Sequence, residues 1–212
     1  MREPVELAGD RITLTHDGDH DTIHFSDKGT GRVCGDCQLC CKLLPVPGAP
    51  LHKPANTRCQ HQRTGKGCGI YATRPTACRV FACRWLADAE CAGMKRPDRS
   101  HYVVDINPDY VEAVDNATGQ RTKIGVIQVW VDPHYRDAYR APELRRYMLH
   151  IAERYRMATI VRYSSTEAFT VFPPPLASDG QWHEEGGTVL ARTPDEREIL
   201  ARYKVGLAEE RP

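Results

Sequence analysis

Cys34-Gly35-Asp36-Cys37-Gln38-Leu39-Cys40-Cys41-Lys42 opens, and Cys68-Gly69-Ile70-Tyr71-Ala72-Thr73-Arg74-Pro75-Thr76-Ala77-Cys78-Arg79-Val80-Phe81-Ala82-Cys83 closes, a stretch that holds eight of the nine cysteines in the 212-residue chain. The spacing is C-x2-C-x2-C-C, then C-x8-C from Cys59 to Cys68, then C-x9-C-x4-C to Cys83. Thiolates are the soft donors that zinc and iron–sulfur clusters select, and the first three cysteines lie close enough for one turn to aim them at one centre. Core packing does not require so many thiols in so short a stretch. Disulfides would need an oxidising compartment, and residues 1–30, with Arg2, Glu3, Glu6, Asp10 and Asp17 among them, contain no apolar leader segment. The odd number of cysteines also sits poorly with full pairing. The cysteines are therefore read as metal ligands, in a Pro- and Gly-rich region that depends on metal as a staple.

Two geometries are open for the first cluster. On a helix, Cys34, Cys37 and Cys41 fall within about 60° of one another while Cys40 points about 120° away. On a loop, Cys34, Cys37 and Cys40 follow the C-x2-C-x2-C run with which bacterial ferredoxins wrap a cluster. Either way Cys40 and Cys41 should face different directions, which leaves one of them for a second metal or a structural contact. Pro45, Pro47, Pro50 and Pro54 then impose an extended, irregular link. Cys59 and Cys68 are expected on loops, with Gly67 and Gly69 letting the backbone approach closely and offering amide donors to sulfur. His61 is a candidate nitrogen ligand with solvation as the plainer reading. Thr73-Arg74-Pro75 reads as a helix start, with a helix to about Asp88. A straight helix would set Cys78 and Cys83 about 140° apart, so it must break between them or they must serve different partners.

From Cys34 to Cys91 there are eight Lys or Arg against three Asp or Glu, although the whole chain carries only +1. A nucleic-acid footprint would look similar, but the charge of metal-bound thiolates accounts for the excess more directly. Nucleic acid is accordingly not expected as a partner, and the partner implied is a metal ion.

The two quoted runs resemble the YkgJ-type cysteine-cluster proteins, named for a CxxCxxCC motif and described as a zinc- or iron-chelating domain. The resemblance spans about Val33 to Leu86, a quarter of the chain. It implies metal ligation at Cys34, Cys37, Cys40, Cys41, Cys59, Cys68, Cys78 and Cys83. The same cysteine domain occurs in flagellin lysine methylases, where it is associated with an iron–sulfur cluster, but nothing outside the motif resembles a methylase. Cys91 lies outside the motif and is expected not to bind metal.

Outward from this region, residues 1–32 read as an arm. Arg11 to Thr15 and Thr22 to Phe25 form candidate strands across Asp17-Gly18-Asp19, and His16, His20 and His24 are expected on solvent-facing loops. Residues 33–95 form the cysteine-cluster metal-binding domain, and on its other side residues 96–205 form an α+β domain. His101 to Ile106, Tyr110 to Val114 and Ile124 to Val131 read as strands, the first two separated by a turn at Asn107-Pro108-Asp109. Pro142 opens a helix with Leu144, Tyr147, Met148, Ile151 and Tyr155 on one face and Arg145, Arg146, Arg154 and Arg156 on the other. Ala158 to Tyr163 and Ala168 to Phe172 add strands, and the tail offers a strand at Thr188 to Ala191 and a charged helix from about Pro194 to Lys204. The expected class is α+β: a small irregular cysteine-rich region plus a largely antiparallel sheet with one long amphipathic helix.

No P-loop, GxSxG elbow, GxGxxG or zinc-deaminase signature is present. Asp132-Pro133-His134 could seat a proton-transfer pair, though a turn after a strand explains it with less. No apolar run is long enough to span a membrane, which gives the expectation of a soluble, cytoplasmic protein. Two functions remain. One is a metal-binding protein, with the iron–sulfur cluster slightly ahead of zinc, in a structural, redox or metal-handling role. The alternative is a metal-dependent enzyme, methyl-transferring or redox, with an iron–sulfur centre.

Overall fold

The computed structural model describes residues 5–7, 10–17, 20–25, 30–46, 50–114, 119–186 and 202–204. The chain forms two compact units, Met1–Val103 and Val104–Pro212.

The first unit begins with three antiparallel strands, β1 (Val5–Leu7), β2 (Asp10–Asp17) and β3 (His20–Phe25), with Ile12 opposite Phe25 and Leu14 opposite Ile23. The two candidate strands are therefore present and longer than expected. His16, His20 and His24 are strand residues rather than loop residues. The alternation of Ile12, Leu14, Ile23 and Phe25 outweighs the turn-forming Asp residues around them.

The cysteine-bearing segment that follows is made of short pieces. Helix α1 (Leu39–Leu43) exists because Leu39 and Leu43, four residues apart, are both buried. The proline-rich link is irregular, as expected, and is pinned by one antiparallel bridge in which Val46 and Lys53 exchange backbone hydrogen bonds of 2.8 Å. A two-stranded hairpin follows, β4 (Gln62–Arg63) against β5 (Gly67–Cys68), so Cys68 lies on a strand rather than a loop. The expected helix to Asp88 is divided into α2 (Thr76–Val80) and α3 (Arg84–Ala87), with Phe81 and Cys83 in extended conformation between them. The division gives Cys83 a direction that a continuous helix would deny it. Helix α3 is held by a buried Arg84–Asp88 ion pair of 2.5 Å and by the Arg32 guanidinium, which donates to the Trp85 and Asp88 carbonyls. A 3-10 turn, Ala89–Gly93, is capped by the Asp88 carboxylate and encloses Cys91. Helix α4 (Pro97–Ser100) completes the series.

In the second unit, six strands run in the order β10-β9-β8-β7-β6-β11. They are β6 (Tyr102–Val114), β7 (Arg121–Val131), β8 (Ala158–Arg162), β9 (Ala168–Phe172), β10 (His183–Gly186) and β11 (Arg202–Lys204). Helix α5 (Pro142–Tyr155) buries Leu144, Tyr147, Met148, Ile151 and Ala152. The class is α+β, as expected, but the sheet is mixed. β7 and β8 are parallel because α5 connects them as a crossover, whereas β8–β9 and β9–β10 are antiparallel. The core beneath contains Val111, Ile124, Val126, Ala158, Ile160, Phe172 and Leu176.

Two expectations fall differently here. β6 runs straight through Asn107-Pro108-Asp109, where a turn was expected. Among the described residues its second neighbour, β11, pairs with it at Glu112, Ala113 and Val114, so a proline at 108 interrupts no described ladder on that side. Arg202 to Lys204 is a strand rather than the end of a helix. The strand expected at Thr188 to Ala191 and the rest of the tail helix lie outside the described residues.

Candidate metal centre

The placement of each cysteine follows from its own short segment. Cys34 and Cys37 flank a tight turn in which the Cys37 amide donates to the Cys34 carbonyl at 3.0 Å. Cys40 and Cys41 are consecutive on α1. Cys59 enters the hairpin with its amide on the Cys41 carbonyl at 3.2 Å, and Cys68 ends β5. Cys78 sits within α2 and Cys83 caps α3.

Two devices press the first cluster onto the hairpin. The Gln38 side-chain amide donates to the carbonyls of Arg63 and Gly67, and accepts from Gln62 Nε2 at 2.6 Å. Gly67 has φ +78°, and a Cβ at this position would stand 2.7 Å from the Gly35 carbonyl oxygen. Glycine is required there by both conformation and space. The close approach expected of the flanking glycines is thus realised at Gly67. At Gly69 the amide donates to the His61 carbonyl at 2.8 Å rather than to sulfur.

These segments bring Cys34, Cys37, Cys40, Cys41, Cys59, Cys68, Cys78 and Cys83 to the wall of one cavity of ≈ 290 Å³. Leu44, Leu51, Ile70, Phe81 and Leu86 supply much of the remaining wall, and His61, Lys53 and Arg74 also face it. Cys91 is fully buried and takes no part in this wall. All nine thiols are unbridged. Among the described residues, no three His, Cys, Asp or Glu side chains already stand tightly enough to hold one ion. Rotation between staggered χ1 wells moves a cysteine sulfur by about 3 Å, the scale of adjustment that side chains on fixed backbones allow. The donor chemistry fits zinc or an iron–sulfur cluster: soft thiols from six separate segments facing one largely apolar space.

Cys40 and Cys41 do not diverge as their helical positions suggested. Cys40 donates a hydrogen bond to Cys41, which raises the Cys40 pKa well above the ordinary thiol value, with burial adding to the rise. The same hydrogen bond lowers Cys41 to about 7, helped by the charges of Lys53 and Arg74. Burial is the main cause that raises Cys34, Cys37 and Cys78.

Lys53 is the residue that the sequence reading did not single out. It is only 4% exposed, and Nζ donates to the carbonyls of Lys42 at 3.3 Å, Pro54 at 3.1 Å and Thr57 at 3.0 Å. Burial lowers its pKa, while the thiolates of Cys59, Cys41, Cys40 and Cys78 oppose that shift. A lysine between Pro50 and Pro54, inside a run of thiols, was the available signal. Arg74 is stacked on Tyr71 at 3.7 Å and its charge reaches Cys34, Cys41 and Cys78. Not every cation of the basic excess is aimed at sulfur, since Arg84 is committed to Asp88. Arg96 bridges Asp36 at 2.6 Å and Asp98 at 2.6 Å, which ties the first cysteine turn to α4.

Two other candidates resolve simply. His61 faces the cavity and pairs with the Gln60 side chain at 3.3 Å. Asp132 caps a 3-10 segment, Pro133–Arg140, accepting from the His134 amide at 3.2 Å, and His134 Nδ1 lies 3.0 Å from the same oxygen. A capped turn accounts for that pair.

No family model matches the chain, and no solved structure matches it. A UPF0153 protein of Pseudomonas aeruginosa is 36% identical over 66 residues, which make up 30% of this chain and 74% of that protein. Among the described residues, no helix is long and apolar enough to cross a membrane.

Proposed function

We propose that this chain, which belongs to the UPF0153 family, binds metal through Cys34, Cys37, Cys40, Cys41, Cys59, Cys68, Cys78 and Cys83, as an iron–sulfur cluster, as zinc, or as both. The role is structural, redox or metal-handling. The observation that carries this reading is the convergence of these eight thiols on one cavity. The CxxCxxCC run and its resemblance to YkgJ-type domains support the same ligand set, with residues 33–95 as the metal-binding domain. A reducing compartment such as the cytoplasm suits a protein that keeps its thiols free.

The chain's own groups have definite parts in such a centre. Thiols must lose their protons to bind, and Lys53 and Arg74 place positive charge where thiolate charge accumulates. The Gln38 clip and the Gly35–Gly67 contact fix the backbones that carry the ligands. Leu44, Leu51, Ile70 and Phe81 limit water beside the sulfurs. When bound, a cluster would supply one-electron chemistry and zinc a structural cross-link. The cavity at the cysteines is the space the metal itself would fill, which favours a closed site over a substrate pocket.

Colour and composition test the proposal. Protein purified anaerobically should be brown, with broad absorption near ~400 nm from sulfur-to-iron charge transfer that d¹⁰ zinc lacks. About two zinc per chain with no acid-labile sulfide would reject the cluster and leave a zinc protein. Absence of stoichiometric metal of either kind would reject the proposal.

A further inference from the structure

The structure assigns the eight thiols to two centres: Cys34, Cys37, Cys40 and Cys83 form a first that takes an iron–sulfur cluster, and Cys41, Cys59, Cys68 and Cys78 form a second that takes one tetrahedral zinc ion. This rests on the metal-binding reading above and adds which thiols share a centre and with what.

The first set is marked by a second, smaller cavity of ≈ 20 Å³. Its thiols are those of Cys34, Cys37, Cys40 and Cys83, and Trp85, Leu86, Pro97 and Val103 complete its wall. Cys41, Cys59, Cys68 and Cys78 face only the larger space. Backbone pairing follows the same division. Cys37 is tied to Cys34 through its amide, whereas Cys59 is tied to Cys41.

Helix α1 is where the sets meet. Consecutive helical residues leave the axis about 100° apart, so a change of χ1 is enough to aim the hydrogen-bonded thiols of Cys40 and Cys41 at different centres.

The metal classes follow from spacing and surroundings. Cys34, Cys37 and Cys40 form the C-x2-C-x2-C run of a cluster-wrapping loop with a distant fourth ligand. The second set comes from four separate segments, which suits a cross-linking ion whose four sulfurs sit about 3.8 Å apart around a 2.3 Å coordination shell.

The test uses the full chain, loaded anaerobically with excess iron, sulfide and zinc. Wild type should hold about four iron, about four acid-labile sulfide and about one zinc. Cys37→Ser and Cys83→Ser should lose the iron, the sulfide and the ~400 nm band while keeping the zinc; Cys59→Ser and Cys68→Ser should lose the zinc and keep the band. Zinc-edge X-ray absorption on wild type, which needs no variant to fold, should show four sulfurs at about 2.3 Å and no iron neighbour. Proportional loss of iron and zinc in all four variants, or iron scattering at the zinc edge, overturns the division. Two zinc lost set by set overturns the cluster assignment alone. A wild type that binds no metal overturns the proposed function as well.

Discussion

Replacing Lys53 by methionine isolates the electrostatic part of the site. The side chain keeps most of its length and loses its charge, and Lys53 already lies 4% exposed with its ammonium on three carbonyls. The thiolates of Cys59, Cys41, Cys40 and Cys78 stand near enough for their charges to act on Nζ, a separation on the order of 8 Å. At about 8 Å and an effective dielectric near 20, one cation and one net negative charge attract by about 2 kcal/mol. That corresponds to about 30-fold in metal affinity. Competition against a chelator of known affinity should therefore show K53M binding zinc about 30-fold more weakly, with K53R recovering much of the difference. Circular dichroism of the loaded proteins checks that the fold survives the release of these three carbonyls. An affinity for K53M within threefold of wild type, in a folded protein, would refute the role of charge. Equal weakening in K53R would reassign the residue to packing.

Other outcomes follow from the same site. Complete metal removal should unfold residues 33–91, seen as loss of protease resistance and of ellipticity; an unchanged digest would show that the apolar contacts around Leu39, Leu43 and Leu51 suffice. Cys91→Ser should leave metal content unchanged, because Cys91 is buried outside the cavity, and any metal loss would contradict that separation. Metal affinity should rise with pH from 6.5 towards 9. Cys34, Cys37, Cys40 and Cys78 are raised and start protonated, whereas Cys41, at about 7, is partly ionised at neutrality, so loading releases protons. A pH-independent affinity across that range would show that the thiols are already ionised before loading.

The cysteine spacing announced which eight cysteines line one cavity but not how that cavity is assembled. Nothing in the local pattern of Arg74 to Asp88 places a break at Phe81, because the residues there are ordinary helix formers. Only the demand that Cys78 and Cys83 both face the interior pointed to one, and that is a tertiary constraint. The pairing of Gly35 with Gly67 and the clip made by Gln38 join residues about thirty positions apart, so neither is visible in a local window. Lys53 was hidden for a different reason: a charge count treats a buried ammonium and a solvated one alike. In the second unit the helix face and the strands at Ile124, Ala158 and Ala168 were legible from periodicity. The parallel β7–β8 pair followed from the helix between them, and Pro108 misled because its effect depends on whether a neighbouring strand needs its missing N–H.

The order of ligands along the chain makes one centre depend on the other. The first centre closes only when Cys83 reaches Cys40, 43 positions away, and all of the second set lies inside that interval. Once Cys41 and Cys78 are joined through zinc, the path from Cys40 to Cys83 shortens to about six residues. Loop-closure entropy scales as (3/2)RT ln n, so the shortening lowers the cost of bringing Cys83 home by about 1.7 kcal/mol, close to 20-fold. Zinc should therefore bind first and prepare the cluster site, rather than the reverse. With iron and sulfide kept limiting, the zinc-loaded chain should assemble its ~400 nm chromophore at about 20-fold lower iron than a Cys59→Ser chain, whose second centre is open. Equal iron requirements in the two proteins would mean that the hairpin and the Gln38 clip already hold the loop closed without zinc, and the proposed order of assembly would be lost.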